Sequence, residues 1–205
     1  ASLGLITSHG FDYGGDQFDS RAIDLLRKSR PDLHAWTTSC TWGDMSLEIV
    51  EQARGYIYEA GNNGIIPWAT VHNNYESDRL HPPRGFRISG NANSPIQTSN
   101  GVLKTTKAYY YFKHLCRSGR PGMKPAKVNV KGTEKISAIA FASNGTKSQD
   151  ALLVINHDFT TEKISIEITG IQVSKYAAFY TQDYGEANYT PFGEEVIDNK
   201  MITIE

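Results

Sequence analysis

Three segments of the sequence place aromatic and hydrogen-bonding residues directly after an apolar run. They read SHGFDYGG (residues 8–15), TTSCTWGD (37–44) and WATVHNNYESD (68–78), and none of them contains Lys or Arg. Aromatic faces pack on apolar C–H groups, while Asn, His and Tyr side chains hydrogen-bond to hydroxyls. The segments therefore favour a neutral, hydroxyl-rich ligand such as a sugar. A phosphate site would need Gly-rich turns and basic residues instead.

The aromatic and imidazole side chains of these segments are the candidate ligand contacts. They are His9, Tyr13, Trp42, Trp68, His72 and Tyr75. Several also have a structural interpretation. His9 can be a histidine satisfied within the fold, Trp68 a core residue, and Trp42 a cover over the rim of the fold. Residues 72–75 can form a solvated turn.

Acidic residues follow the second segment but fit the start of a helix. Asp44 has the position of an N-cap, and Glu48 and Glu51 fall in the first turns, where acids offset the helix dipole. We interpret all three as helix-start residues rather than catalytic acids.

Strand and helix patterns alternate three times over residues 1–119. The predicted elements are strand 2–9, helix 16–31, strand 33–36, helix 46–60, strand 64–72, a loop over 73–101 and helix 102–117. Such repeats predict parallel βα units. An eight-stranded βα barrel has about 250 residues, so this half fits the last three units of one. The active site of such a barrel lies where the carboxyl ends of its strands meet.

From about residue 120 the pattern changes to short β-rich segments separated by turn residues. They cover residues 135–143, 150–158, 162–170 and 175–183. This spacing predicts a β-sandwich. The expected fold is therefore α/β plus all-β: the C-terminal portion of a (β/α)8 TIM barrel over residues 1–119, followed by a β-sandwich side domain over 120–205.

Composition excludes several classes of partner. The net charge of −1 gives no reason to expect nucleic acid or a membrane surface, and no apolar window is long enough for a transmembrane helix. No signal peptide is recognisable in ASLGLITSHGF. That start and the final KMITIE both read as parts of strands, so we expect a fragment of a longer protein.

The two cysteines do not form a metal or disulfide motif. There is no CxxC and no Cys/His cluster, so we expect no structural zinc and no other metal or cofactor. In the barrel model Cys40 lies at the top of a strand and Cys116 near the far end of a helix about 22 Å long. A disulfide needs Cα atoms within about 7 Å, so we expect two thiols.

Four stretches together resemble the C-terminal part of glycoside hydrolase family 30, with related barrel-plus-sandwich families of the same clan a close second. They are SHGFDYGG, LHAWTTS, IIPWATVH and KAYYYFKHLCRSGRPGMKPAKV. The resemblance covers nearly the whole chain, and the tyrosine-rich helix with its Arg-Pro-Gly exit is its most specific feature. It implies retaining hydrolysis of β-glycosides by a secreted enzyme that acts on oligo- or polysaccharides.

In the family pattern the seventh strand ends in W-x-[ST]-E, whose Glu is the nucleophile. Trp36-Thr37-Thr38-Ser39 matches this motif except that Ser39 replaces the Glu. Retaining glycosidases need two carboxyl groups about 5–5.5 Å apart, and an unactivated hydroxyl replaces one poorly. The resemblance also puts the acid/base Glu on the fourth strand, outside this chain. We therefore expect the chain to be inactive alone.

Three explanations of Ser39 remain open. It can be an engineered replacement of the nucleophile, or the parent can be a naturally non-catalytic relative that binds glycans. Alternatively the register is different, and Asp44 or Glu76 is the acid. A structural protein without a site is a weaker hypothesis, and it predicts that the strand-end aromatic residues point into the core. We expect a carbohydrate ligand, and we expect another chain or segment to supply the missing barrel strands.

Overall fold

The computed structural model describes residues 4–9, 18–40, 47–68, 70–73, 94–99, 102–171, 174–196 and 201–204. The first half holds β1 (Leu5–His9), α1 (Arg21–Arg27), β2 (His34–Cys40), α2 (Glu48–Tyr58), β3 (Gly64–Pro67), β4 (Val71–Asn73), β5 (Ile96–Ser99), β6 (Val102–Thr105) and α3 (Lys107–Ser118). The second half holds β7 (Lys124–Ala126), β8 (Ile136–Ala142), β9 (Ala151–Asn156), β10 (Ile164–Glu167), β11 (Lys175–Tyr180), β12 (Thr190–Val196) and β13 (Met201–Ile204).

The strands β1, β2 and β3 form the parallel sheet that the repeated βα pattern predicts. The order is β1-β2-β3, with Leu5 opposite His34 and Trp36 opposite Gly64. β2 extends to Cys40, beyond its predicted end at residue 36, because the β-branched Thr37 and Thr38 continue the ladder. Parallel pairing brings the carboxyl ends of all three strands to one edge.

The third apolar run does not form the single strand predicted for 64–72. β3 ends at Pro67, which has no N–H to donate to a ladder. After this break β4 pairs in parallel with β5, and β5 pairs antiparallel with β6 in a separate three-stranded sheet. The loop predicted for 73–101 was therefore wrong at residues 96–99, which form β5.

The last helix begins later than predicted. Residues 102–105 form β6, and Thr106 has extended backbone angles before α3 starts at Lys107. The hydroxyl of Thr106 donates to the Ser94 carbonyl at 2.7 Å, which fixes this corner. α1 (Arg21–Arg27) is likewise shorter than the helix predicted for 16–31.

The main hydrophobic cluster joins the two halves of the chain. Helices α2 and α3 pack on strands β8 and β9 through Ile49, Val50, Tyr111, Ile139, Phe141, Leu153 and Ile155. α3 presents Ala108 and Tyr111 as its buried residues, with Phe112 and Leu115 packed against the cluster. Cys116, near the end of the same helix, is exposed.

The four strands predicted after residue 120 all exist as β8, β9, β10 and β11. β7-β8-β9 is an antiparallel sheet, while β10 pairs with β13 and β11 with β12. The Arg-Pro-Gly step before β7 contains Gly122 at φ +85°, a conformation that side chains rarely adopt. Cys40 and Cys116 form no disulfide, as predicted. None of the described helices has the length and hydropathy to cross a membrane.

Candidate active site at the carboxyl edge of the parallel sheet

The carboxyl edge of the parallel sheet brings together three of the predicted site positions. His9 ends β1 and pairs with Thr38 of β2. Ser39 follows Thr38, and Trp68 directly follows the end of β3. The backbone N–H of Trp68 donates to the Cys40 carbonyl at 2.9 Å, which holds this residue against the end of β2. His9, Ser39 and Trp68 therefore lie on neighbouring strand ends.

β2 is fixed by hydrogen bonds from two asparagine side chains. Ala35 and Thr37 are buried, and the Asn62 side chain donates to the Thr37 hydroxyl. The Asn63 side-chain oxygen accepts the Ala35 N–H at 2.8 Å. Thr37 is thus a structural residue. These bonds hold the strand that carries Ser39.

The ladder between β2 and β3 shifts register at Ser39. Thr38 pairs with Ile66 and Cys40 pairs with Pro67, so Ser39 is the extra residue of a β-bulge. Leu33, Ala35 and Thr37 alternate as buried residues, and without the shift residue 40 would face the other way. Instead Cys40 is buried beside Tyr56 and Ala60. Bulges re-aim side chains and are common next to active sites.

The opposite face of the sheet is only partly covered within the described chain. Leu5 is 37% exposed, Ile66 46% and Trp68 40%. Trp36 lies over Gly64, where a Cβ would come within 2.5 Å of the indole ring. Trp68 is therefore partly exposed in the described chain, and both its role as a sugar contact and its role as a core residue stay predictions.

The structure does not describe the side chains of the remaining predicted site residues. Tyr13, Trp42 and Tyr75 lie outside the described residues, as do the alternative acids Asp44 and Glu76. His72 lies in β4, where it pairs with Gln97 in the second sheet. Only the backbone of Ser39 and His72 is described, so their predicted side-chain roles stay predictions.

A second polar group lines a cavity of about 470 Å3 between α2 and β8. The Glu51 carboxylate accepts a hydrogen bond from Ser137 at 2.5 Å, lies 3.4 Å from His157 Nε2 and forms an ion pair with Arg54. Burial raises the pKa of Glu51, but the Ser137 and Arg54 contacts outweigh burial and lower it overall. The sequence indicated Glu51 only as a helix-start residue. No local signal identifies partners as distant as Ser137 and His157.

This group does not have the geometry of a nucleophilic triad. Nε2 of His157 lies 2.9 Å from the Ser137 hydroxyl and also faces Glu51. A triad histidine uses one ring nitrogen for the serine and the other for the acid. The cluster therefore acts as a polar bridge between α2 and the β-sheet. Among the described residues no group of three or more His, Cys, Asp or Glu side chains is arranged to hold a metal ion.

Comparison with known proteins identifies the architecture around this edge. No family model and no curated protein sequence matches the chain. Among solved structures, a GH30 endoxylanase from Clostridium papyrosolvens C71 superposes with a TM-score of 0.71 at 14% identity over 98% of this chain and 45% of its own. The chain has the fold of the C-terminal part of glycoside hydrolase family 30.

Two further structures agree. A family 30 subfamily 8 xylanase from Clostridium acetobutylicum gives a TM-score of 0.68 at 13% identity, with 98% of this chain and 45% of that enzyme covered. An endo-β1,6-glucanase gives 0.54 at 17% identity, with 97% and 39% covered. The chain thus spans less than half the length of the enzymes whose fold it shares. The resemblance predicted from the strand-end motifs is confirmed for the fold.

Proposed function

We propose that this chain is the C-terminal portion of a secreted retaining β-glycoside hydrolase that cleaves β-linkages of oligo- or polysaccharides. Residues 1–119 would be the last βα units of a (β/α)8 TIM barrel, and residues 120–205 a β-sandwich side domain. The observation that carries the proposal is the meeting of His9, Ser39 and Trp68 at the carboxyl edge of a parallel sheet, in a chain with the family 30 fold.

Ser39 occupies the nucleophile position in this proposal. The β-bulge at residue 39 supports it, since an unpaired residue at a strand end can be aimed independently of the ladder. The proposed sugar contacts are His9, Tyr13, Trp42, Trp68, His72 and Tyr75. Because a retaining mechanism needs two carboxyl groups and Ser39 supplies neither, the chain alone would be inactive.

The rest of the barrel would complete the site. Strands of a parallel sheet are normally buried on both faces, yet Leu5, Ile66 and Trp68 are exposed here. The family 30 enzymes with this fold are more than twice as long as the part matched. Five further βα units would cover this face and supply the acid/base residue.

A naturally non-catalytic glycan-binding protein is the second candidate. Serine in place of the nucleophile favours it, because such a protein needs the sugar contacts but no carboxylate. The codon at position 39 in the encoding gene separates the cases: a Glu codon indicates an engineered enzyme, and a Ser codon favours the binding protein.

The decisive experiment restores the carboxylate in the full-length protein. Ser39→Glu should raise hydrolysis of aryl β-xylosides and β-glucosides from background to a readily measured rate. Ser39→Gln is the matched control, with nearly the same size and no carboxylate. The polymer panel should include xylan and β-1,6-glucan, the substrates of the similar enzymes.

Equal activity of the two variants would contradict the nucleophile assignment. If both are inert but still bind glycans, the binding-protein candidate is favoured. If neither cleaves nor binds, the likeness to family 30 concerns the fold and not the function.

A further inference from the structure

Two aromatic side chains on the sheet-rich half are exposed although the backbone around them is fixed. Phe159 is 86% exposed and Tyr184 is 83% exposed, and their ring centroids lie 5.6 Å apart at an interplanar angle of 43°. Phe159 follows β9, and Tyr184 lies between β11 and β12. Two different loops therefore converge to present one pair of rings to solvent.

The loop that carries Tyr184 is attached to α3 on both sides of the ring. The Tyr111 hydroxyl donates to the Asp183 carboxylate, one residue before Tyr184. Lys107 Nζ donates to the carbonyls of Gly185 at 2.5 Å and Ala187 at 3.2 Å. Tyr184 is thus held in its exposed position by the neighbours on either side. Its presentation to a ligand would cost little ordering entropy.

The turn that carries Phe159 is also fixed by its own hydrogen bonds. The Asn156 side chain donates to the Thr160 carbonyl at 2.8 Å, and the Phe159 N–H donates to the Asp158 carboxylate at 2.7 Å. Lys135 forms ion pairs with Asp158 at 2.6 Å and with Glu162 at 3.0 Å. Both rings are therefore preorganised, in contrast to an aromatic residue on a loose loop.

Other aromatic residues nearby have structural partners. Phe179 stacks on Tyr189 at 4.7 Å and 14°, and the Lys113 ammonium lies 4.1 Å from the centroid of the Tyr189 ring. Those rings pack the loop against α3. The pair Phe159–Tyr184 is much more exposed than Phe179, which is 42% exposed, so packing does not account for it.

The chemistry around the pair selects one class of ligand. The segments 156–163 and 181–189 contain four acidic residues, Asp158, Glu162, Asp183 and Glu186, and one lysine, Lys163. Lys135 pairs with Asp158 and Glu162, and Lys107 binds the loop that carries Tyr184, so the charges around the pair nearly balance. A surface without excess positive charge does not favour nucleic acid, acidic polysaccharides or anionic lipid surfaces. Aromatic faces bind the C–H faces of sugar rings, while nearby carboxylates and hydroxyls accept and donate hydrogen bonds.

We propose that Phe159 and Tyr184 form a platform that binds a neutral β-linked polysaccharide, in addition to the contacts proposed at the carboxyl edge of the parallel sheet. The choice of a polysaccharide rests on the proposed function, since a second contact with the same polymer raises its effective concentration at the cleaving site. The platform would act on long chains and not on small aryl glycosides.

The test measures retention of the full-length protein in native gels that contain neutral arabinoxylan or β-glucan, with polygalacturonate as the acidic comparator. The double variant Phe159→Ala/Tyr184→Ala should lose at least about tenfold in apparent affinity, the equivalent of one to two aromatic contacts. Tyr184→Phe keeps the ring and should keep the retention. Leu25→Ala, an exposed apolar residue on α1, is the control for lost apolar surface.

Undiminished retention of the double variant at an unchanged melting temperature would overturn the platform. So would a wild-type protein that no neutral polysaccharide retards, or a double variant that keeps retention but changes its sedimentation coefficient, which would indicate a protein contact. Failure of the proposed function is distinguishable: Ser39→Glu would stay inert on aryl glycosides while ring-dependent retention persists.

Discussion

The hydrophobic cluster around α2 and the parallel sheet β1-β2-β3 differ in how completely they are packed. On one side Ile49 and Val50 meet Ile139 of β8 in a closed hydrophobic cluster. By contrast, the β1-β2-β3 sheet leaves Leu5 and Ile66 exposed. Both regions are built from apolar strands, but only the first has its complementary surface within the chain.

This difference distinguishes a region that is stabilised within the chain from a surface that is open to other parts of a protein. The closed cluster requires only residues of this chain. The open sheet carries the candidate site, and its geometry depends on the hydrogen bonds of Thr37 and Ala35 with Asn62 and Asn63. The edge that carries the candidate site is thus held by these hydrogen bonds, while the sheet face with Leu5 and Ile66 remains uncovered.

The closed cluster should be the most sensitive region of the molecule. Ile139 is 0% exposed, so Ile139→Ala should lower the free energy of unfolding by about 2–5 kcal/mol through lost burial and a residual cavity. Urea unfolding followed by circular dichroism measures this change. Leu152→Ala, on the adjacent strand β9 and 39% exposed, should cost much less. Equal losses would show that the cluster is not the main core.

Although the β1-β2-β3 sheet is partly exposed, it should tolerate a substitution at Gly64 poorly. A Cβ at Gly64 would lie 2.5 Å from the Trp36 ring, so Gly64→Ala must displace the indole at a cost of about 1–3 kcal/mol. Tryptophan fluorescence together with urea unfolding detects both effects. Gly4→Ala is the matched control, since a Cβ there meets no atom within 4 Å. An unshifted emission spectrum for Gly64→Ala would argue against this packing.

The polar bridge at Glu51 should give a small, pH-dependent effect. The pKa of Glu51 is lowered, so its contribution to stability is present above the ordinary value of 4.5 and is lost as the pH falls through the folded-state pKa. Glu51→Gln should cost about 1 kcal/mol or less near pH 7, because Arg54 and Glu51 are partly solvated.

The melting temperatures of the wild type and of Glu51→Gln are measured between about pH 3 and pH 7, a range that includes the titration of carboxyl groups. The Glu51→Gln curve should be flatter than that of the wild type at the acidic end. Glu48→Gln removes a carboxyl from the same end of α2 and serves as the control. Parallel curves for Glu51→Gln and wild type would contradict the bridge.

The sequence predicted those features that depend on local pattern. The apolar runs before His9 and after Leu33 became neighbouring parallel strands, and the β-rich segments after residue 120 became β8 to β11. The end of β3 at Pro67 could have been predicted, because proline has no N–H to donate. The apolar run continues through Trp68, however, and so favours a longer strand.

Features that depend on distant partners could not be predicted in this way. The bulge at Ser39 arises from the register between β2 and β3. The strand propensity of Thr37 and Thr38 is the same with or without a bulge, so the sequence of β2 does not reveal it. The bond from Ser137 to Glu51 spans 86 residues, so no spacing rule finds it. Val102 and Leu103 fit both a helix and a strand pattern, and only the pairing with β5 decides for the strand β6.

The shared core also limits how the chain can be recombined. A junction at residue 119 or 120 looks natural from the change of sequence rhythm, yet Tyr111 on one side and Phe141 on the other belong to the same cluster. A chimaera that grafts residues 120–205 onto an unrelated barrel would bring half of a core to a foreign surface. The smallest transferable module therefore includes α2 and α3, and the two halves are expected to be inherited as one unit.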